Sequence, residues 1–269
     1  MAALRSSDSN DRIKSIGSDV RFALRTLARN PVFAAVAILT LALGIGANSA
    51  IFSLVNGVLL KPLPFPEPQR LLRVWQVETG TGKSEHGPVS AVNLDDWRAR
   101  RGSIADIGGY HYSEGMSGTD LTGIGEPQRI SAAFVTPGFW NTLAVTPQLG
   151  RVPRDEEMVR GANDRLVVLS HSFWQREFAG ASSVIGRRVQ LGGESFEIVG
   201  VMPETFRFPA PAVQAYIPYS TIPDNAIPRL RGVRILQVVA RMKPGVSVAT
   251  ARAELTSIQD SLRKQYPNA

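Results

Sequence analysis

From Pro31 to Leu60 the chain reads PVFAAVAILTLALGIGANSAIFSLVNGVLL and carries no charged residue. An uncharged, mostly apolar run well beyond about 18 residues predicts a transmembrane helix, because lipid leaves every backbone polar group to be satisfied within the segment. Thirty helical residues would reach roughly 45 Å, against about 30 Å of hydrocarbon. The surplus falls at the C-terminal end, where Asn48, Ser49, Ser53 and Asn56 enter, so the span is expected from Val32 to about Ile51, with a helical extension beyond it. A soluble core helix would not run so long. A cleaved signal peptide ending near Ala42-Leu43-Gly44 is the nearer alternative, but the apolar stretch continues past that point and the leader would be unusually long.

The flanks are unequal. Arg12, Lys14, Arg21, Arg25 and Arg29 precede the span, and Lys61 is the only charge directly after it. Arg21, Arg25 and Arg29 therefore act as topology determinants, holding the N-terminus in the cytoplasm and sending the rest of the chain outside. Ile13, Ile16, Val20, Ala23, Leu24 and Leu27 recur at helical spacing and predict an amphipathic helix on the membrane surface before Asn30-Pro31 bends the chain. Within the span, Gly44, Gly46, Ala47 and Ala50 form a small-residue surface beside the amide of Asn48. Gly44, Gly46 and Asn48 are the expected helix-packing positions.

After the span, alternating Pro62, Pro64, Pro66 and Pro68 enforce an extended linker. Periodicity then predicts a strand over Leu71–Val77 and a helix over Ala91–Arg101 with Asn93 as its cap. Short strands joined by turns follow over Ile104–Val135, then a short helix over Pro137–Leu143. A strand over Arg165–Ser170 precedes a helix over Ser172–Phe178. Val189–Leu191 and Ser195–Val201 read as a hairpin about Gly192-Gly193. Arg234–Met242 is a strong strand, and Val248 to about Lys264 a helix with apolar positions at Ala251, Leu255, Ile258 and Leu262. The fold class is α+β, with strands and helices alternating around a β-rich interruption. The boundaries are a basic cytoplasmic segment over 1–30, the membrane helix with its extension over 31–60, and an external domain over 61–269.

Charge does not alter this picture. The net charge of +7 divides into +3 on residues 1–30 and +4 on residues 61–269, where 24 basic and 20 acidic residues are mixed. No basic stripe points to nucleic acid. Without cysteine there is no disulfide or thiolate site. Gly80-Thr81-Gly82-Lys83-Ser84 resembles the end of a phosphate-binding loop, but Val77 stands where its first glycine belongs and Glu85-His86-Gly87-Pro88 starts no helix. Gly44-Ile45-Gly46 lies inside the membrane run. His86, His111 and His171 lack ligand spacing, Gly115-Met116-Ser117-Gly118 is one residue short of a nucleophile elbow, and Asp95-Asp96 and Asp155-Glu156-Glu157 suit helix starts and solvated loops. No catalytic, metal or cofactor constellation is expected, and no enzymatic activity.

The segment DVRFALRTLARNPVFAAVAILTLALGIGANSAIFSLVNGVLLKPLPFPEPQRLLRVWQ, from Asp19 to Gln76, resembles the start of MacB/FtsX-type ABC-transporter permeases, above all the acidobacterial duplicated orphan permease group. RLVVLSHSFWQREF, VIGRRVQLGGESFEIVGVMPETFRFP and ARMKPGVSVATARAEL resemble the MacB-like periplasmic core domain. This resemblance implies a βαβ subdomain from the chain's ends, about 66–145 plus 230–269, and a β-rich insertion over about 146–229. It also implies a location in the bacterial inner membrane, a separate cytoplasmic ATPase as partner, a second permease copy, and room for other periplasmic components. The first helix would transmit motion mechanically in efflux or export. Such permeases continue into further membrane helices, so a partial permease is expected here. A standalone membrane-anchored periplasmic binding or adaptor protein is the alternative.

Overall fold

The computed structural model describes residues 25, 28–55, 65–78, 85–162 and 164–267. Its contacts divide the chain into two units, Met1–Pro62 and Leu63–Ala269. In the first, α1 (Pro31–Val55) is one unbroken helix of 25 residues. At 1.5 Å per residue it extends about 38 Å, enough to cross a bilayer's hydrocarbon. Apolar side chains stand on every side, with Val32, Leu39 and Leu43 exposed by 77%, 68% and 76%. Among the described residues it is the one helix long and apolar enough to cross a membrane. Thr40 turns its hydroxyl back onto the Val36 carbonyl at 2.8 Å, so its polar group needs no outside partner. The expected surface helix before it lies, apart from Arg25, outside the described residues up to Leu27, as does the extension beyond Val55.

The second unit is mixed α+β. Its strands are β1 (Leu71–Val74), β2 (Gln76–Glu78), β3 (Glu85–Gly87), β4 (Val89–Ser90), β5 (Ile104–His111), β6 (Gly118–Thr122), β7 (Gln128–Val135), β8 (Leu149–Gly150), β9 (Leu166–Leu169), β10 (Arg188–Leu191), β11 (Glu194–Val201), β12 (Ala215–Pro218) and β13 (Arg234–Met242). Its α-helices are α2 (Ala91–Arg100), α3 (Phe139–Leu143), α4 (His171–Phe178) and α5 (Val248–Gln265).

The sheet runs β1-β13-β5-β7-β12-β9-β11-β10-β6, and β6 pairs again with β7. Strands β7, β12, β9, β11, β10 and β6 thus close a ring, which removes their free edges. Its strands lie between residues 118 and 218, whereas the expected insertion ran from 146 to 229; the pairing of β7 with both β6 and β12 draws the earlier strands in. Every ring strand contributes to one apolar cluster, which includes Leu121, Ile130, Val167, Leu191, Ile198 and Ile217, with Phe173 and Phe178 of α4 packed on it.

Outside the ring, β1 and β5 both run antiparallel to β13, which lies between them. They are therefore parallel to each other and joined through α2, a split βαβ unit whose middle strand comes from the other end of the domain. Leu236, Val238, Ala240 and Met242 alternate along one face of β13 and pack with Trp97, Ile258 and Leu262. The opposite face of β7, β9 and β12 carries an aromatic cluster with α3.

Several local expectations change. The strand expected over Leu71–Val77 is two: β1 pairs with β13, while β2 leaves the sheet to form a ribbon with β3. Ser90, not Asn93, caps α2, its hydroxyl accepting the Asn93 N–H at 3.2 Å. Asn93 instead joins Gln76 and Arg231 through its amide. The short helix begins at Phe139 because Gly138 sits at φ 82. The hairpin at Gly192 and Gly193 forms as expected, with φ 59 and 83. β12 was not foreseen: four buried residues ending in proline show no alternation to read.

Candidate functional site

Phe65 is the first described residue of the second unit, and local chemistry fixes it there. Phe65 is buried and meets Phe206 and Phe208 edge-on, with centroids 6.3 and 5.7 Å away. Tyr110, Phe139, Trp140 and Tyr216 continue the same aromatic cluster. Edge-to-face pairs of this kind contribute about 0.5–1.5 kcal/mol each beyond area burial. Tyr216 donates its hydroxyl to the Phe208 carbonyl at 2.8 Å, and burial pushes its ionisation upward, so it stays a neutral donor.

Directly beside Phe65 lies Arg241 of β13, 6% exposed. Its Nη1 donates to the Pro66 carbonyl at 2.9 Å, its Nε to Thr142 at 2.7 Å and its Nη2 to Leu143 at 3.2 Å. The last two are carbonyls at the C-terminus of α3, which have no helical partner and attract a cation. α3 ends at Ala144, which takes a left-handed φ of 53 and returns its N–H to Trp140. One planar guanidinium thus ties the incoming linker, the central strand and α3 together, a geometry that an ammonium cannot reproduce. Burial lowers the Arg241 pKa from the ordinary guanidinium range, and nearby Arg70 lowers it further while Glu67 opposes.

The linker has a second fastening. Glu67 adopts φ 48 and turns the chain into a 3-10 turn over Pro68–Arg70. Arg70 pairs with Glu67 at 2.5 Å and donates its Nε to the Met242 carbonyl at 2.9 Å. β1 then pairs with β13 from Leu71↔Arg241 onward. Every polar contact of residues 66–71 named here therefore ends on β13 or within the linker itself.

α3 is in turn seated on β5. A Cβ on Gly108 would lie 2.2 Å from the Phe139 nitrogen, so only glycine permits this approach. Asp155 accepts the Gly138 N–H at 2.7 Å and pairs with Arg98 of α2 at 2.8 Å, linking α3 to α2. Next to it, Glu157 takes both forks of Arg151 at 2.6 and 2.8 Å, and this hydrogen bonding holds its pKa down to about 2.

The residues singled out from the sequence lie elsewhere. Gly44, Gly46 and Asn48 are exposed on α1, with open space within 4 Å of both glycines. Arg25 and Arg29 are exposed, and Arg21 and the Gly80–Ser84 tract lie outside the described residues. Residues 85–87 after that tract are strand, which a phosphate-binding loop would not allow. His86 faces Trp75, His111 the Ile235 carbonyl and His171 the Gln148 amide. Among the described residues no group of three metal-ligating side chains occurs. Arg241 and Phe65 were missed. The available signal was a single arginine set among apolar residues in a strong central strand, Val238 to Met242.

A family profile described as MacB-like periplasmic core domain matches residues 34–258. The macrolide export ATP-binding/permease protein MacB of Bdellovibrio bacteriovorus is 27% identical over 184 residues, which is 67% of this chain and 28% of that protein. The chain thus spans under a third of that relative's length. The periplasmic region of MacB from Actinobacillus actinomycetemcomitans superposes with a TM-score of 0.54 at 18% identity, covering 72% of this chain and 85% of that one. The extracellular domain of the noncanonic ABC-type transporter YknZ from Gram-positive bacteria gives 0.52 at 13% identity, covering 74% and 96%. A domain of a permease protein from Porphyromonas gingivalis gives 0.53 at 16% identity, covering 73% and 83%. At these identities the structural likeness concerns the fold.

Proposed function

The chain belongs to the MacB-like periplasmic core domain family, and from that premise we propose that it is the membrane-anchored part of an ABC-transporter permease that passes motion from a separate cytoplasmic ATPase into its periplasmic domain. In this reading α1 crosses the bacterial inner membrane with Arg21, Arg25 and Arg29 on the cytoplasmic side. The domain from about residue 61 is periplasmic, and comprises a βαβ part made by its two ends and an inserted β-rich ring. Gly44, Gly46 and Asn48 pack against another membrane helix, of the same permease or of a second copy.

One observation carries the mechanical part: the Arg241 guanidinium on the Pro66, Thr142 and Leu143 carbonyls. A lever works only where its end is fixed, and a linker that merely tethered the domain would not need a buried cation bridging it to the central strand. Displacement of residues 65–70 would be delivered to β13 and α3 together. Through β13 it reaches β5 and α5, and through β5 it reaches the ring.

Topology is tested in cells. The chain has no cysteine, so single cysteines at Ser9 and Ser257 can be probed with a membrane-impermeant maleimide. Labelling of Ser257→Cys on spheroplasts, with Ser9→Cys protected until lysis, supports the reading. The reverse pattern refutes it, and recovery of a soluble species cut near Gly44 would identify a signal peptide.

A further inference from the structure

β1 is the last strand of the main sheet on its side, and among the described residues nothing pairs with its outer edge. Such an edge presents a row of free N–H and C=O groups, which proteins usually blunt with a projecting charge or a covering element. The only charge here is Arg73, and it does not project. Its Nη2 donates to Gln237 at 2.8 Å and its guanidinium lies 3.9 Å over the Trp75 ring, folded along the sheet rather than past the edge. A groove of about 590 Å³ runs beside this edge, between β1, β2 and α5. Leu72, Val74 and Val77 line one wall, Val248 and Leu255 the other. Trp75, 38% exposed, stands among its lining residues.

Two features mark hydrogen-bonding groups that an added strand would meet. Arg263 of α5 donates to the Val77 carbonyl at 2.6 Å, a side chain supplying what an adjacent strand's N–H would supply. The Trp97 indole N–H and the Gln259 side-chain oxygen, both on lining residues, are out of solvent without a partner. Charge then narrows the occupant. Arg73, Arg252 and Arg263 line the groove against Asp260 alone, and Arg252 makes no ion pair among the described residues.

We propose that the free edge of β1 and its groove receive an extended acidic segment of a partner protein, which adds as a strand beside β1 and sets its carboxylates against Arg252 and its neighbours. Strand addition takes affinity from main-chain hydrogen bonds and specificity from pockets for alternate side chains, and this groove offers both. A second copy of the chain is disfavoured, since edge-to-edge pairing would bring the same three arginines together twice.

The test uses the full chain in detergent micelles and a fluorescein-labelled seven-residue peptide alternating valine and glutamate, read by anisotropy. Saturable binding is expected. It should weaken at least roughly tenfold when alternate peptide nitrogens are methylated, which removes main-chain donors and keeps the side chains. A valine–lysine peptide should bind at least about tenfold more weakly than the glutamate peptide, and Arg252→Glu, which leaves two arginines against two acids, should abolish that preference. Far-UV circular dichroism matching that of the unaltered chain shows that the variant is folded. Absence of saturable binding, equal binding of the methylated peptide, or indifference to peptide charge each overturns the proposal.

Discussion

Replacing Arg241 with methionine keeps much of the side chain's length and removes its three donors. The Pro66, Thr142 and Leu143 carbonyls, held at 2.9, 2.7 and 3.2 Å, then lose their partner. Hydrogen bonds to a charged group contribute about 1.5–3 kcal/mol each, and a stranded buried acceptor costs about 1–3 kcal/mol. Relief of the guanidinium's own desolvation offsets part of this, as does water reaching the linker carbonyl. The net loss should be about 3–4 kcal/mol. For a domain of this size that lowers Tm by roughly 6–16 °C. Calorimetry of the whole chain in detergent measures the loss, and amide exchange locates it: residues 65–74 should open far more readily than β9 or β11. Arg241→Lys should fall between, because an ammonium cannot fork to three carbonyls. A loss below about 1 kcal/mol, with exchange at 65–74 unchanged, would refute the argument that this guanidinium fastens the linker.

Other outcomes follow from separate contacts. Gly108→Ala places a methyl 2.2 Å from the Phe139 nitrogen and 2.5 Å from the Gly138 carbonyl carbon, so urea unfolding should show a loss of at least about 3 kcal/mol or failure to fold. Glu157 has a folded pKa near 2, below the ordinary 4.5, so its stabilisation is complete above pH 4.5 and fades as pH falls toward 2. With Arg151 half-exposed, that should be about 1–2 kcal/mol, absent in Glu157→Gln when stability is compared across the acid range. Gly44→Leu with Gly46→Leu should leave membrane insertion intact and weaken association of the full permease, measured by cross-linking; undiminished association would deny this helix face a packing role.

Much of the fold was legible because it rests on local pattern. α1 announces itself by length and absence of charge. β13 and α5 do so by clean periods of two and of about 3.6, and the β10–β11 hairpin by Gly192-Gly193. What was not legible depends on pairing between distant strands. Nothing local says that β6 and β7 join β10 and β12 in a ring, or that Trp75 marks the departure of β2 from the sheet. Asn93 looked like a cap because its amide suits one, yet Ser90 lies where the first turn needs an acceptor. The site was harder still. Arg241 bonds only to backbone carbonyls, which bear no residue-type signature, and those carbonyls come from residues 66, 142 and 143. Chemical motifs in the sequence do not point to a structural contact of this kind.

In the proposed mechanism the linker leaving the membrane helix moves as one body with the sheet. Gln69 and Ser257 are both exposed, one on the linker turn and one on α5; this chain has no cysteine, so spin labels go on at Gln69→Cys and Ser257→Cys once cysteines elsewhere in the assembly are replaced by serine. Electron–electron distance measurement on the full-length permease, with the proposed ATPase partner and with ATP added or withheld, reports directly on that rigidity. A single narrow distance, unchanged by ATP and broadened when Arg241→Met is introduced, is the predicted result. A distance that is broad from the start, or that shifts with ATP in the unmodified protein, would show the linker sliding on the domain and contradict the account.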